Sequence, residues 1–313
     1  MVKATVSLDY FHWLFSSNGM EPQGYVDHLR LPRVISAAMN EALVFPVSRE
    51  EIKRAVFSIG ASQAPGPDGF TDAFFQNFWD VVGTSVCSVV LSFCRIGHLL
   101  HSINHTWITL IPKVPNAKSM KQLRPISLCQ VIYKIIAKIL AGRLSSILSS
   151  VVSPFQNEFI KGRVISDNIL IGQEVMSFLK TKVQGRDKWM ALKLDMEKGY
   201  DRVEWKFLFA VLAGLGFFDK WLCWIKGCVT SVHYSVLMNS VEYGYFQPHR
   251  GIRQGDPLSP LLFALFIEAF SAKLCVEIAS SSLHGLRIHR CNSQLARFWW
   301  ADQDKVKGIH WVS

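Results

Sequence analysis

The chain has 313 residues, 50% of them apolar, and a formal net charge of +10 at pH 7. This composition excludes a disordered chain and predicts one large globular body or two modest domains. The basic balance favours an acidic partner, nucleic acid first. The seven cysteines include no C-x-x-C pair, and several lie in apolar runs. They predict reduced core thiols in an intracellular protein.

No stretch of the sequence predicts insertion into a membrane. The longest apolar run, Leu261 to Phe270, is interrupted by Glu268 and is too short to span a bilayer. The N-terminus carries Asp9 and His12 in its first apolar segment and lacks the profile of a signal peptide. Residues 1–45 contain an aromatic cluster but no repeat, and they predict nothing about chemistry.

The first clear helix follows Ser48, which forms a capping-box start with Glu51. The loop Ala61–Phe70 then contains two prolines and two glycines, which prevent a helix there. Such a loop either presents backbone N–H groups to a phosphate or forms a tight turn. A helix follows, and its predicted buried stripe is Phe74, Phe75, Phe78, Trp79 and Val82.

Further along the chain, Trp107 to Leu110 predicts a strand and Val131 to Leu148 predicts a long helix. The helix carries Lys134, Lys138 and Arg143. These cations either face a phosphate backbone or form a solvated face.

Three histidines at spacings of three and four, His98, His101 and His105, fit one face of a helix. A zinc site is one interpretation, but such sites usually gather ligands from more than one element. Gly97 and Asn104 would also weaken the helix. The spacing therefore favours a packed or solvated helix end.

The apolar run Met190–Leu194 predicts a strand that places Asp195 at its end. A charged turn follows, and then a helix from about Val203 to Leu215. A carboxylate at the rigid end of a strand suits Mg²⁺, which needs only one or two protein carboxylates plus substrate phosphates. Taken alone, the pattern favours a solvated turn, and the motif further downstream changes that balance.

That downstream motif is Gly251–Pro260, a turn rich in glycine and proline that follows a predicted strand at Tyr234–Asn239. It leads into an apolar helix, Leu261–Leu274. Glycine permits close approach of backbone to a ligand, and a helix N-terminus attracts phosphate. A plain loop before a buried helix explains this stretch equally well when it is considered alone.

Four motifs in this order resemble the reverse transcriptase of LINE-type non-LTR retrotransposons, most closely those of plants. The motifs are Ala64–Phe70, Leu123–Leu128, Leu192–Trp205 and Gly251–Pro260. The resemblance implies an α+β right-hand polymerase with fingers and a palm whose antiparallel sheet carries two Mg²⁺ ions. It implies an RNA template, a DNA primer and deoxynucleotides as partners, and an intracellular location with the nucleus expected.

The resemblance also assigns roles to residues near the predicted metals. Asp195 matches the first catalytic aspartate and metal ligand of the family. Tyr200 matches the residue under the incoming sugar that rejects a 2′-hydroxyl. Asp201 follows the family pattern, but it opens a helix, so a cap or salt-bridge partner is expected rather than a metal ligand.

Further matches concern the nucleotide. Arg124 matches a fingers arginine that grips the triphosphate, for which a planar guanidinium is well suited. Lys113 is a weaker match to a fingers lysine with the same role. Gln254 and Gly255 match a loop that lets the nucleotide and its template base lie close to backbone.

One family element is missing from the sequence. A hairpin with two adjacent aspartates is expected shortly after Leu283–Arg290, yet no two aspartates are adjacent anywhere in the chain. The following residues resemble a segment from far beyond the palm, which predicts an internal loss near Arg290 and truncation after Ser313. Asp302 and Asp304 are separated by one residue and predict a polar loop.

The resemblance divides the chain into an N-terminal extension (1–45), a fingers-like region (46–185), a palm-like region lacking its second catalytic hairpin (186–290) and a truncated downstream segment (291–313). It predicts a reverse transcriptase by descent without useful polymerase activity. One alternative is a nucleic-acid-binding remnant whose phosphate contacts are salt-dependent. Another is a product without function that exposes apolar surface and aggregates.

Overall fold

A computed structural model describes residues 2–17, 19, 21–29, 31–154, 156–181, 191 and 194–280, and the structural statements below concern these residues. Short 3-10 turns lie at Met120–Gln122 and Tyr200–Arg202. The described strands are β1 (His105–Pro112), β2 (Leu123–Cys129), β3 (His233–Met238) and β4 (Val241–Phe246). The described helices are α1 (Val2–Leu14), α2 (Gln23–Leu29), α3 (Ala37–Val44), α4 (Arg49–Phe57), α5 (Asp72–Asn77), α6 (Trp79–Ile96), α7 (Val131–Val151), α8 (Ile165–Thr181), α9 (Trp205–Leu215), α10 (Asp219–Thr230) and α11 (Ser259–Ala279).

The four described strands form one sheet in the order β2-β1-β3-β4. The pairs β1/β2 and β3/β4 are antiparallel, whereas β1 and β3 run parallel. The predicted α+β class is therefore confirmed, and the sheet is mostly rather than fully antiparallel. The sheet joins strands from the predicted fingers-like and palm-like regions, whose boundaries stay a prediction.

Local chemistry explains where several helices begin. Ser48 has extended backbone, and its hydroxyl accepts a hydrogen bond from the Glu51 amide at 3.1 Å. Thr71 does the same for Phe74 at the start of α5. Each side chain satisfies one of the amide groups that a helix start leaves without a partner. The predicted cap at Ser48 is thus confirmed.

Helix α7 lies at the centre of the main hydrophobic core. Its apolar residues Ile135, Ile136 and Leu140 are each at most 1% exposed. The helix contacts α3, α4, α6 and α11. A helix that is buried on most of its surface needs apolar residues on nearly all of its faces, and the sequence of α7 has them.

A second, smaller core lies between α1 and the sheet. Phe11, Leu14 and Phe15 pack against Tyr234 and Phe246 from β3 and β4. This packing fixes the N-terminal helix beside the turn that contains Tyr200–Arg202. The aromatic cluster near the N-terminus is therefore structural in part.

Two sequence predictions of secondary structure, one before Asp195 and one for the three histidines, are wrong for the described residues. Ala191, Leu194 and Asp195 have irregular backbone instead of the predicted strand, while the other residues of Met190–Leu194 lie outside the described residues. The histidines at 98, 101 and 105 share no helix either, because α6 ends at Ile96 and β1 begins at His105.

The prediction that the cysteines are core thiols is partly confirmed, while the intracellular location stays a prediction. Cys87, Cys129 and Cys228 are buried free thiols, whereas Cys223 and Cys275 are exposed. Burial raises the pKa of the Cys129 thiol, which keeps it protonated and unreactive.

One described helix, α6, is long and apolar enough to cross a membrane. It also buries Val86, Val90 and Phe93 in the main core. Core helices of globular proteins pass the same length and hydropathy test.

Candidate active site

Three of the sequence motifs meet along β2, an edge strand of the described sheet. The Ser127 amide of β2 donates to the Gln254 carbonyl at 2.9 Å. The Lys198 ammonium donates to the Leu123 carbonyl at 3.1 Å. The Gln254 side-chain amide donates to Asp201 at 2.9 Å. The loop Gly251–Pro260, the turn before α9 and β2 therefore form one site.

Two buried charged residues, Arg253 and Asp256, fix the loop Gly251–Pro260 to the core. The Arg253 guanidinium, in a residue only 4% exposed, lies 3.8 Å from the centre of the Tyr133 ring and donates to the Cys228 carbonyl. The Tyr133 hydroxyl donates to Asp256 at 2.9 Å. Burial raises the pKa of Tyr133, so its hydroxyl remains a donor. This network fixes the residues on both sides of Gln254 and Gly255, and it leaves Gln254 partly exposed and Gly255 exposed.

Glycine is required at two points of this loop. Gly255 has φ +101°, a backbone conformation that side chains with a Cβ rarely adopt. Gly251 has φ +93°, and a Cβ there would lie 2.8 Å from the Asp201 carbonyl. Gly255 is exposed, so its backbone is open to a ligand. The predicted close approach of backbone and ligand therefore has a structural basis here.

Tyr200 is held by stacking and by backbone. Its ring stacks on Phe263 of α11, with ring centres 4.7 Å apart and planes 18° apart. Its carbonyl accepts from the Ile252 amide at 2.9 Å. Burial, and secondarily the charge of Glu158, raises the pKa of Tyr200 to about 12. The phenol is therefore neutral and fixed beside the Gly251–Pro260 loop.

Asp201 is neither a helix cap nor an ion-pair partner, which corrects the sequence prediction. Its carboxylate is 2% exposed and accepts the hydrogen bond from Gln254 through Oδ1. Oδ2 is buried and has no hydrogen-bond partner among the described residues. Burial raises the pKa of Asp201 to about 6, against the opposing effects of Gln254 and the nearby cations of Lys198, Lys113 and Arg202.

Lys113 and Arg124 lie close together where β1 and β2 join the site. Arg124 pairs with Ile111 across the two strands, and Lys113 directly follows β1. Both residues are exposed. The Lys113 cation also acts on the pKa of Asp201. The structure thus brings both predicted phosphate-binding cations to the site.

Asp195 lies six residues before Asp201, in irregular exposed backbone. It makes no hydrogen bond or ion pair with any residue that the structure describes. No cluster of three or more histidine, cysteine or acidic side chains suitable for a metal occurs in the described part of the chain. Asp302 and Asp304 lie outside the described residues. The donor set that is described does not fit a two-metal centre.

Sequence reasoning missed the role of Lys198. This residue adopts φ 58°, which is uncommon for a side chain with a Cβ. Its ammonium crosses to β2, and it lies 5.9 Å from the centre of the Tyr10 ring of α1. A lysine in a charged turn carries no sequence signal for such a bridge.

Two of the three basic residues of α7 form ion pairs inside the protein, whereas Lys138 is only partly buried. The Lys134 ammonium is 3.1 Å from Asp72, and Arg143 makes two hydrogen bonds to Glu51. Lys134 and Arg143 therefore neither face a phosphate backbone nor form a solvated face.

The loop Ala61–Phe70 behaves as a tight turn. The Gly69 amide donates to the Gly66 carbonyl, and the Phe70 amide donates to the Asp68 carboxylate. These two amide groups are consequently satisfied within the loop itself, which favours the turn interpretation over phosphate binding.

Comparisons with known proteins identify the family of this chain. Residues 111–297 match the family described as reverse transcriptase (RNA-dependent DNA polymerase). The chain is 31% identical over 261 residues to the Transposon TX1 uncharacterized 149 kDa protein of Xenopus laevis, which covers 83% of this chain and 20% of that protein. It is 28% identical over 222 residues to the Retrovirus-related Pol polyprotein from type-2 retrotransposable element R2DM of Drosophila melanogaster, covering 71% and 20%.

A third relative is the Retrovirus-related Pol polyprotein from type-1 retrotransposable element R2 of Nasonia vitripennis, 25% identical over 229 residues. The chain spans about a fifth of the length of these relatives. The particular closeness to plant elements stays a prediction. Because the family match covers more than half of the sequence, the chain belongs to the reverse transcriptase family, in the branch of LINE-type non-LTR retrotransposons.

Proposed function

We propose that this chain carries the nucleotide-binding side of a reverse transcriptase active site and does not complete nucleotidyl transfer. The observation that carries the proposal is the Gln254–Asp201 hydrogen bond together with the Ser127–Gln254 backbone bond. These two bonds hold Gln254 between the turn of Tyr200 and the strand of Arg124. The substrates would be a deoxynucleoside triphosphate and a DNA primer on an RNA template.

The roles of the side chains follow from their chemistry and position. Arg124 and Lys113 are exposed cations at the strand ends, and they would bind the triphosphate. Tyr200 is fixed on Phe263, and its ring would lie under the sugar and exclude a 2′-hydroxyl. The open backbone at Gly255 would approach the base pair.

The catalytic side of the site has too few carboxylates to hold two metal ions. Asp195 would be the single catalytic carboxylate and Mg²⁺ ligand carried over from the family. Asp201 is buried and hydrogen-bonded to Gln254, so it does not supply the opposite face of a metal. The sequence contains no adjacent aspartate pair. Losing one transition-state stabilising group typically costs about 10²–10³ in rate, and here a pair is absent.

Two measurements on the purified chain test this proposal. Deoxynucleotide binding to a complex with dideoxy-terminated primer and RNA template should be detectable and should weaken at least about tenfold in Arg124→Ala, because a charged phosphate contact is lost. Arg95→Ala, an exposed arginine on α6, is the matched control and should bind as wild type does.

Primer extension tests the catalytic half of the proposal. With an extendable primer, Mg²⁺ and all four deoxynucleotides, wild type and Asp195→Ala should give the same background. Extension by wild type that Asp195→Ala abolishes would overturn the proposed lack of transfer. It would also show that some residue replaces the aspartate pair.

The alternative, a salt-dependent nucleic-acid-binding remnant, draws support from the net charge of +10. Helix α7 does not contribute to it through Lys134 and Arg143, since both are paired internally. Binding that is steeply salt-dependent and indifferent to nucleotide would favour this alternative over the nucleotide site.

A further inference from the structure

The hydrogen bond between Gln254 and Asp201 has a chemical consequence for the orientation of the Gln254 amide. An ionised carboxylate only accepts hydrogen bonds, while a glutamine amide both donates and accepts. The Gln254 Nε2 group must therefore point at Asp201, and Oε1 must point away from it. No other side-chain hydrogen bond of Gln254 occurs among the described residues. Its Oε1 and its second N–H are thus available to a ligand.

The surroundings of Asp201 are those expected of a residue that orients the Gln254 side chain. It is almost completely buried, its Oδ1 accepts the hydrogen bond from Gln254, and its Oδ2 has no described hydrogen-bond partner. The bond from Gln254 is therefore the one described side-chain hydrogen bond that compensates the burial of this carboxylate. It joins two motifs that lie 53 residues apart in the sequence. The groups that face it electrostatically come from four sides of the site: Lys198 and Arg202 on its own turn, Lys113 after β1, Tyr10 on α1 and Tyr234 on β3.

We propose that Asp201 is a positioning residue for nucleotide binding, which fixes the Gln254 amide with Oε1 and one N–H directed at the nucleotide and its template base. The inference rests on the proposed nucleotide site and adds to it the residue that orients Gln254. Protonation of Asp201 supplies an O–H donor that can pair with Gln254 Oε1, and the amide is then free to turn over. Asp201→Asn does the same at every pH, because an asparagine amide both donates and accepts.

The orientation of the amide is testable without any nucleotide. In the free protein labelled with ¹⁵N-glutamine, the Gln254 side-chain resonances are identified by their loss in Gln254→Ala. They should shift with a midpoint near pH 6 in wild type, where Asp201 titrates. In Asp201→Asn they should show no such midpoint. Resonances that ignore pH in wild type would overturn the inference.

Nucleotide binding tests the positioning role itself. Deoxynucleoside triphosphate is titrated with Mg²⁺ and a dideoxy-terminated primer on an RNA template. We expect wild-type affinity to fall roughly tenfold between pH 7.5 and pH 5, as a charged hydrogen bond is replaced by a neutral one. Asp201→Asn should bind roughly tenfold more weakly at pH 7.5 and change little with pH.

Asp80→Asn, at an exposed position of α6, is the matched control. It should follow the wild-type profile, including any pH effect of the triphosphate itself. Wild-type affinity in Asp201→Asn at pH 7.5 would overturn the positioning role while leaving the proposed function intact. Absence of nucleotide binding by wild type at every pH would overturn the proposed function, and the positioning role with it, even where the Gln254 resonances titrate.

Discussion

Replacing Lys134 by methionine tests whether this basic residue of α7 stabilises the fold or binds nucleic acid. The Lys134 ammonium lies 3.1 Å from Asp72 Oδ2 and also donates to the Ala64 carbonyl at 3.2 Å. The lysine side chain is 10% exposed and the aspartate side chain 1% exposed. The substitution keeps the length of the apolar stem and leaves Asp72 buried without its counter-charge.

The expected loss of stability follows from this burial. Breaking a buried ion pair by removing one partner typically costs about 3–5 kcal/mol. Asp72 lies in the first turn of α5, where the helix dipole acts on its carboxylate in wild type and variant alike, so this effect cancels in the comparison. We therefore expect Lys134→Met to lower the free energy of unfolding by about 3–5 kcal/mol.

Urea unfolding followed by circular dichroism measures this value. Lys138→Met, on the same helix and only partly buried, is the matched control and should stay within about 0.5 kcal/mol of wild type. The double variant Lys134→Met/Asp72→Asn should recover part of the loss, because the unpaired charge is gone. A loss below about 1 kcal/mol for Lys134→Met would refute the structural role.

The salt dependence of nucleic-acid binding is a second test of the role of Lys134. A lysine that contacts phosphate contributes about 0.7–0.9 to the slope of log K against log salt. Lys134→Met should leave that slope unchanged, since its charge is already paired with Asp72. A slope shallower by about 0.9 in this variant would mean that Lys134 contacts the ligand after all.

Three further predictions concern the site. Gly255→Ala should lower the free energy of unfolding by about 1–3 kcal/mol and weaken nucleotide binding, because the backbone there has φ +101°, although there is space for the methyl group. Gly142→Ala on α7, the control, should raise the free energy of unfolding by up to about 1 kcal/mol. Urea unfolding measures both values. Asp201 has a folded pKa of about 6 against an ordinary 3.8, so it contributes stability below pH 4 that is lost as pH rises through 6. The unfolding free energy of Asp201→Asn should therefore rise relative to wild type by about 2 kcal/mol from pH 4 to pH 7, and a constant difference would contradict the burial of this carboxyl. Asp195→Ala should unfold within about 0.5 kcal/mol of wild type, because Asp195 is exposed.

Sequence patterns predicted the elements whose signals are local. The cap at Ser48 and the apolar period of α7 depend on neighbouring residues, and both are confirmed. Strand β2 was not predicted, and it contains Pro125, a residue that lacks the N–H group a strand donates to its neighbours. Proline is tolerated there because β2 is an edge strand of the described sheet. Strand β4 was also missed, since its residues are mostly exposed and Gly244 interrupts the pattern.

The site was predictable as a set of residues but not as an arrangement. Arg124, Gln254 and Gly255 were identified by resemblance, and the structure brings them together. The bond from Ser127 to Gln254 joins residues more than a hundred positions apart, so no local pattern reports it. An aspartate at the start of a helix has the same sequence appearance whether it caps that helix or orients a distant glutamine, as Asp201 does.

The two halves of the site depend on different parts of the protein, and this explains how one can persist without the other. Gln254 and Gly255 are held by Arg253 and Asp256, which are buried against the same core as α7. We expect substitutions that break this buried network to destabilise the chain, because they would leave buried polar groups without partners. Asp195 is exposed and contributes nothing measurable to that core. On the proposed function, absence of the aspartate pair would leave the packing that holds Gln254 and Gly255 unchanged, because Asp195 is exposed and takes no part in that packing.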